Sequence, residues 1–165
     1  MDRLEFKSEI AVDDAGMISG IAWPFGSADR SGDIIEKGAF AEARAPLPML
    51  FGHDMDAPIG VWDSIEETSL GLQVKGRLLI DDVARAKEAR ALVMAGALGG
   101  LSIGFSTRKS FGRRGGGRTI QNLDLVEISL VAVPMHPGAR VTGAKSAAAL
   151  IQIAEAINRA AAALK

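Results

Sequence analysis

Only two histidines occur in the 165 residues, His53 and His136, so any reaction that needs an imidazole base must draw on one of them. His53 stands in Leu50-Phe51-Gly52-His53-Asp54. An apolar approach and a glycine neighbour there set an imidazole at a strand end, partly shielded from water, as a general base requires; a surface-loop histidine fits the same local pattern. His136, between Met135 and Pro137, reads as an exposed loop residue. Gly100-Leu101-Ser102-Ile103-Gly104 has the form G-x-S-x-G, in which small neighbours let a strained turn expose a nucleophilic serine. That elbow runs from strand into helix, whereas here a helical stretch precedes and Ile103 to Thr107 continues as strand. Glycines on both sides of Ser102 nevertheless leave backbone N–H groups free to stabilise an oxyanion. Such a string is also simply how a glycine-rich strand begins.

Glu127 is an acid inside Leu125-Val126-Glu127-Ile128-Ser129-Leu130-Val131. Strand alternation puts Leu125, Glu127 and Ser129 on one face and Val126, Ile128 and Leu130 on the other. A carboxylate in that setting is either solvated or held against a partner, and a histidine N–H is one partner that offsets its desolvation. Asp54 and Asp56 beside His53 raise a divalent-metal alternative, which the absence of H-x-x-x-H spacing and of cysteine disfavours.

The elements that would position these groups can be read from periodicity and turn chemistry. Leu4 to Val12 and Met17 to Trp23 predict two strands of a hairpin, turned by Asp13-Asp14-Ala15-Gly16. A Gly-, Ser- and Asp-rich loop follows from Gly26 to Gly38, then a short helix over Ala39 to Ala45 that Pro46 ends. Leu47 to Phe51 and Pro58 to Trp62 predict strands on either side of a loop carrying Gly52-His53-Asp54. Leu70 to Ile80 is a strand with close-approach points at Gly71 and Gly76, and Asp81 to Ala95 is an amphipathic helix stopped at Gly96. A tight turn at Gly99-Gly100 leads into the Ser102 strand, a basic glycine-rich loop spans Phe111 to Thr119, and a strand runs from Ile120 to Val133. Ala144 to Lys165 is an Ala-rich amphipathic helix, its stripe formed by Leu150, Ile153, Ile157, Ala161 and Leu164. Six to eight short strands with two substantial helices indicate an α+β domain built on an antiparallel sheet or barrel.

Composition bounds the function. With 48% hydrophobic and 24% charged residues the chain can offset the entropy of folding, which excludes global disorder. Nineteen basic and twenty acidic residues give a formal net charge of -1, so the pervasive basic surface of a general nucleic-acid binder is missing. The basic loop from Arg113 to Arg118 reads as solvated. The absence of cysteine excludes a disulfide scaffold, a thiolate nucleophile and Cys-ligated metal, and leans towards the cytoplasm. Met1 to Lys7 has no secretory apolar core, and no apolar run is long enough to cross a bilayer.

Taken in order, several blocks resemble one family. They are Asp29 to Phe40, Leu50 to Asp54 with Pro58-Ile59-Gly60, Gly71 to Gly76, Gly96 to Phe105, and Asp124 to Val131 with Pro134 and Pro137-Gly138-Ala139. Over about Ile18 to Val141 they are similar to the prohead (capsid maturation) serine proteases of HK97-type tailed bacteriophages, distant relatives of the herpesvirus assemblin proteases. The resemblance implies an α+β fold with an antiparallel β-barrel core and surrounding helices, residues 1–143 forming the protease domain and 144–165 an appended helix. It implies His53 as general base and Ser102 as nucleophile. Glu127 lies in the region of the third member, where assemblins use a second histidine. It further implies a serine endopeptidase without a cofactor. The expected substrates are the scaffolding segment of the major capsid protein and the protease itself, cut inside the prohead in the bacterial cytoplasm. Self-association is expected, with no membrane or nucleic-acid partner. A longer scaffold-binding tail is expected to be absent or compressed into 144–165. Two rival readings make distinct predictions. A catalytically silent scaffolding or capsid-assembly module would leave the triad unused. An esterase using the same G-x-S-x-G string would place a helix directly after Ser102 and His136 as its base.

Overall fold

Asp13 turns the chain at the entrance to the fold: its carboxylate accepts the N–H groups of Ala15 and Met17, and Gly16, at φ +82°, donates to the Asp13 carbonyl. The computed structural model describes Val12 to Gly143 and Arg159; the expected strand over Leu4 to Val12 and the expected helix over Ala144 to Lys165 lie outside or almost wholly outside those residues. From the turn, β1 (Met17–Pro24) begins a succession of strands: β2 (Ile34–Ile35), β3 (Leu47–Phe51), β4 (Asp54–Glu67), β5 (Gly71–Leu78), β6 (Gly100–Gly112), β7 (Arg118–Val131) and β8 (Arg140–Thr142), with one helix, α1 (Ala84–Met94), between β5 and β6.

Seven of the strands close on themselves. The order β7-β3-β4-β5-β1-β8-β6 returns to β7 through the long β6–β7 hairpin, and the short β2 adds to the outside of the ring on β7. The fold is therefore the expected β-barrel, with fewer helices than expected among the described residues. All ring pairings are antiparallel except β3 with β7, which runs parallel with Met49 opposite Ile128 and Leu50 opposite Ser129. Closure removes most exposed strand edges and encloses a core that includes Ile18, Met49, Trp62, Leu72, Leu101, Ile128 and Leu130. Gly60 and Gly76 make close backbone crossings possible, since a Cβ at either would lie 2.2 Å from a carbonyl oxygen of the neighbouring strand. Trp62 spans the interior and donates its indole N–H to the Ile128 carbonyl at 3.0 Å, tying β4 to the part of β7 that carries Glu127 and Ser129.

Some local expectations change. No helix forms over Ala39 to Ala45. The chain there makes successive i to i+3 turns, Ala39 to Glu36, Ala41 to Gly38 and Ala43 to Phe40, with Gly38 at φ +96° inside the first of them. Seven residues are too few to nucleate a helix on propensity alone, and the Glu67 carboxylate instead captures the Gly38 and Phe40 N–H groups. The helix read from Asp81 begins at Ala84, because Asp81 and Asp82 are spent in a turn. It buries Ala86, Ala89 and Val93 and ends in a Schellman arrangement, with Ala97 N–H to the Leu92 carbonyl, Gly96 N–H to that of Val93, and Gly96 at φ +77°.

The basic segment expected as a free loop is a tight connection between β6 and β7. Arg113 donates to the Gly32 carbonyl, while Arg118 clasps the Asp33 carboxylate through its guanidinium and its backbone N–H. The Arg118 guanidinium holds the Asp33 carboxyl below its ordinary value, its backbone N–H adding to the effect and burial opposing it. A depressed carboxyl contributes stability that is present above the unfolded-state value and is lost as pH falls through the folded one. Asp33→Asn is expected to lower stability by roughly 1 kcal/mol at neutral pH, because Arg118 remains half exposed. In urea titrations the gap from wild type should stay constant down to about pH 5 and close below about pH 4. A gap independent of pH would contradict the assignment.

Candidate active site

The turn joining β3 to β4 has two residues, Gly52 and His53, with φ +62° and +64°. Two successive positive φ values are what a type I′ hairpin turn requires. A histidine tolerates the left-handed region at a cost of about 1–2 kcal/mol, so the surroundings must hold it there. They do so from β7: Gly52 N–H donates to the Leu130 carbonyl and His53 N–H to Ser129 Oγ, both at 3.0 Å. The parallel β3–β7 pairing makes this possible, because it brings the end of β3 level with Ser129 and Leu130.

The imidazole leans back over the same strand. His53 Nδ1 lies 2.7 Å from Glu127 Oε1, and Ser129 Oγ donates to the other carboxylate oxygen at 2.6 Å. A carboxylate can only accept, so Nδ1 carries the proton and Nε2 is left as the basic nitrogen. Glu127 is 3% exposed, whereas the His53 side chain is 45% exposed. A buried charge is thus bound from two sides, and its partner opens to solvent.

Ser102 and Gly104 occupy the matching positions on β6. Ser102 is opposite Ser129 and Gly104 opposite Glu127, so all four share one face of the barrel wall, and Leu101, Ile103, Ile128 and Leu130 line the other. Gly104 is what makes room for the acid: a Cβ there would meet Glu127 Oε1 at 2.3 Å. Ser102 is 6% exposed and, among the described residues, its hydroxyl makes no hydrogen bond. The structure therefore brings His53 and Glu127 into direct contact and sets Ser102 on their face without bonding it to His53.

The alternation expected along β7 is corrected at one point. Glu127 and Ser129 do share a face, but Leu125 does not join them, because the register slips between Gly104/Glu127 and Phe105/Leu125. The extra residue, Val126, is left 44% exposed, and Leu125 turns onto the core. His136 also departs from expectation, being 4% exposed rather than on the surface. Its Nδ1 accepts from Gly138 N–H, its Nε2 faces the Ser27 carbonyl and hydroxyl at 3.2 Å, and its ring meets Trp23 edge to face at 4.9 Å. Both nitrogens are committed, and Ser102 continues into strand rather than helix, so the esterase arrangement does not exist here. Asp54 and Asp56 are exposed, and among the described residues no three His, Asp or Glu side chains are grouped to hold a metal ion.

With this geometry in place, the comparisons with known proteins decide the family. The profile of the family described as "Caudovirus prohead serine protease" matches residues 3–152. The chain belongs to that family. It is 35% identical over 138 residues to the prohead protease of Enterobacteria phage HK97, an overlap of 79% of this chain and 61% of that one. The prohead protease of Escherichia phage T5 is 30% identical over 128 residues, covering 73% and 59% respectively. A capsid polyprotein of Pseudomonas phage PAJU2 is 34% identical over 142 residues, 81% of this chain and 21% of that protein. The overlap thus takes in about three fifths of the HK97 and T5 proteins' own length. Among solved structures, KSHV protease in complex with a hexapeptide phosphonate inhibitor superposes with a TM-score of 0.50 at 13% identity, over 76% of this chain and 63% of that one, a likeness of fold.

Ser129 and Gly104 were not singled out by sequence reasoning as parts of the site. One looks like any polar strand residue, and the other reads as half of the G-x-S-x-G string. Their test is spectroscopic. In wild type the His53 Nδ1 proton should resonate far downfield in the proton NMR spectrum. Gly104→Ala should abolish that signal by displacing Glu127, at a stability cost of about 1–3 kcal/mol. Ser129→Ala should raise hydrogen exchange of the His53 amide about tenfold. An unchanged downfield proton in Gly104→Ala would refute the packing argument.

Proposed function

We propose that this chain is a serine endopeptidase of phage, prophage or gene-transfer-agent capsid maturation, with Ser102 as nucleophile, His53 as general base and Glu127 as the acid that orients it. The single observation carrying this reading is the 2.7 Å His53–Glu127 contact on the barrel face that also bears Ser102. Ser102 Oγ attacks a peptide carbonyl as His53 Nε2 takes its proton; backbone N–H groups stabilise the oxyanion; His53 returns the proton to the leaving amine. Water then repeats the sequence on the acyl-enzyme. Glu127 keeps Nδ1 protonated and compensates the imidazolium that forms, and its burial keeps that interaction from being diluted by water.

The substrates proposed are the scaffolding segment of the major capsid protein and the protease itself, cleaved within the prohead in the host cytoplasm. Kinship with both prohead proteases and a capsid polyprotein supports this choice. Residues 1–143 form the protease domain in this reading and 144–165 an appended helix, with self-association of the domain. No cofactor enters the mechanism, and neither membrane nor nucleic acid is needed as a partner.

Co-expression with a cognate major capsid protein tests the proposal by intact mass of both chains. Wild type should trim the capsid protein, itself, or both. Ser102→Ala and His53→Ala should leave both full length, and Glu127→Gln should slow trimming by on the order of 10²- to 10⁴-fold. Full-length chains in every case, with particles still assembling, would favour the silent scaffolding module instead.

A further inference from the structure

Two serines face each other on the wall that carries Glu127: Ser102 on β6 and Ser129 opposite it on β7. Their hydroxyls are used differently. Among the described residues that of Ser102 makes no hydrogen bond, whereas that of Ser129, at 0% exposure, is both donor and acceptor. Ser129 gives its proton to Glu127 Oε2 at 2.6 Å and takes the His53 backbone N–H at 3.0 Å. Full burial keeps Ser129 from reaching a substrate carbonyl, so its hydroxyl serves the site in another way.

The bonds form a ring that starts and ends on one residue. His53 N–H donates to Ser129 Oγ, Ser129 O–H donates to one oxygen of Glu127, and the other oxygen accepts from His53 Nδ1. Each bond in such a chain polarises the next. The ring holds His53 at two points, main chain and side chain, and each supplies what the other lacks. The contact with Glu127 fixes one nitrogen but leaves the imidazole able to swing about it. The main chain tends to move as well, because His53 sits at φ +64°, a region that disfavours any residue with a Cβ. The turn's other tether to β7 runs from Gly52 N–H to the Leu130 carbonyl, one peptide earlier, and does not hold the His53 peptide itself. A return of His53 to negative φ swings its Cβ about the N–Cα bond and carries the imidazole away from the face that bears Ser102.

Resting on the reading of Ser102 as nucleophile and His53 as base, we infer that Ser129 is a positioning residue for catalysis: it locks the left-handed His53 turn to the carboxylate that orients the ring, so that one buried hydroxyl fixes both where the imidazole stands and which way Nε2 points. Ser129 touches no substrate in this role. It acts only through His53 and Glu127.

The test is the rate at which a small fluorophosphonate labels Ser102 at rising reagent concentration, which separates the maximal rate of bond formation from the apparent affinity, with the adduct located by peptide mapping. Ser129→Ala is expected to lower the maximal rate by about 10- to 100-fold and to leave the apparent affinity within about twofold of wild type. Ser129→Cys, a weak donor and acceptor of similar size, should fall between the two, and carries the test if the alanine variant does not fold. In a His53→Ala background the Ser129 substitutions should have no further effect, because theirs passes through His53. Val74→Ala, which loosens the buried core on β5, should lower the urea midpoint without lowering the labelling rate, and so separates positioning from loss of stability. A wild-type maximal rate in the folded Ser129 variants, a loss that recurs in full in the His53→Ala background, or an equal slowing in Val74→Ala would overturn this role alone. A wild type labelled elsewhere than on Ser102, or not at all, would overturn the nucleophile assignment and the role with it.

Discussion

A carboxylate shut inside a barrel wall must be matched by donors, and much of the site's construction follows from matching Glu127. Two charge-assisted hydrogen bonds, each worth about 1.5–3 kcal/mol, reach it from His53 and Ser129. Neither donor works unless several other features are in place. Gly104 must lack a side chain where the carboxylate lies, β3 must run parallel to β7 so that its end meets Ser129, and the turn after β3 must be two residues long. Losing one donor leaves one oxygen of the buried carboxylate without its hydrogen bond, which costs about 1–3 kcal/mol. The same demand that stabilises the acid therefore orients the imidazole.

The elements around this centre act as supports of different reach. Trp62 fixes β7 from inside the barrel by its bond to Ile128, the residue between Glu127 and Ser129. Asp33, Arg113 and Arg118 brace the far end of the β6–β7 hairpin against the loop that follows β1. That loop also reaches the segment after β7, where Arg30 N–H donates to the Met135 carbonyl and the Arg30 guanidinium to that of Pro134. Trp23 and Asp29 are thereby gathered beside Ser102 with Met135 and His136, more than a hundred positions further along the chain.

Much of this was legible in the sequence. An acid flanked by Val126 and Ile128 announces a carboxylate in need of a partner, and two histidines leave few candidates. Strand alternation put Glu127 and Ser129 on one face, and the glycine stop at Gly96 ended the helix where the structure ends it. What remained hidden depends on non-local pairing. The bulge at Val126 arises from the register between β6 and β7 and cannot be seen in either strand alone, so alternation by itself sets Leu125 on the wrong face. His136 reads as exposed from its own surroundings because its partners, Ser27 and Trp23, come from the other end of the chain. The turns over Ala39 to Ala45 mimic a helix in composition, and only the positive φ of Gly38 and the reach of Glu67 decide otherwise.

The central claim is that the His53–Glu127 pair activates Ser102. Its most direct test is covalent labelling of the purified chain with a fluorophosphonate, followed by peptide mapping of the adduct in wild type, His53→Ala and Glu127→Gln. The account predicts one adduct per chain, on Ser102, forming at least a hundredfold more slowly in His53→Ala and measurably more slowly in Glu127→Gln. An adduct on another residue, or a Ser102 labelling rate indifferent to His53, would contradict it.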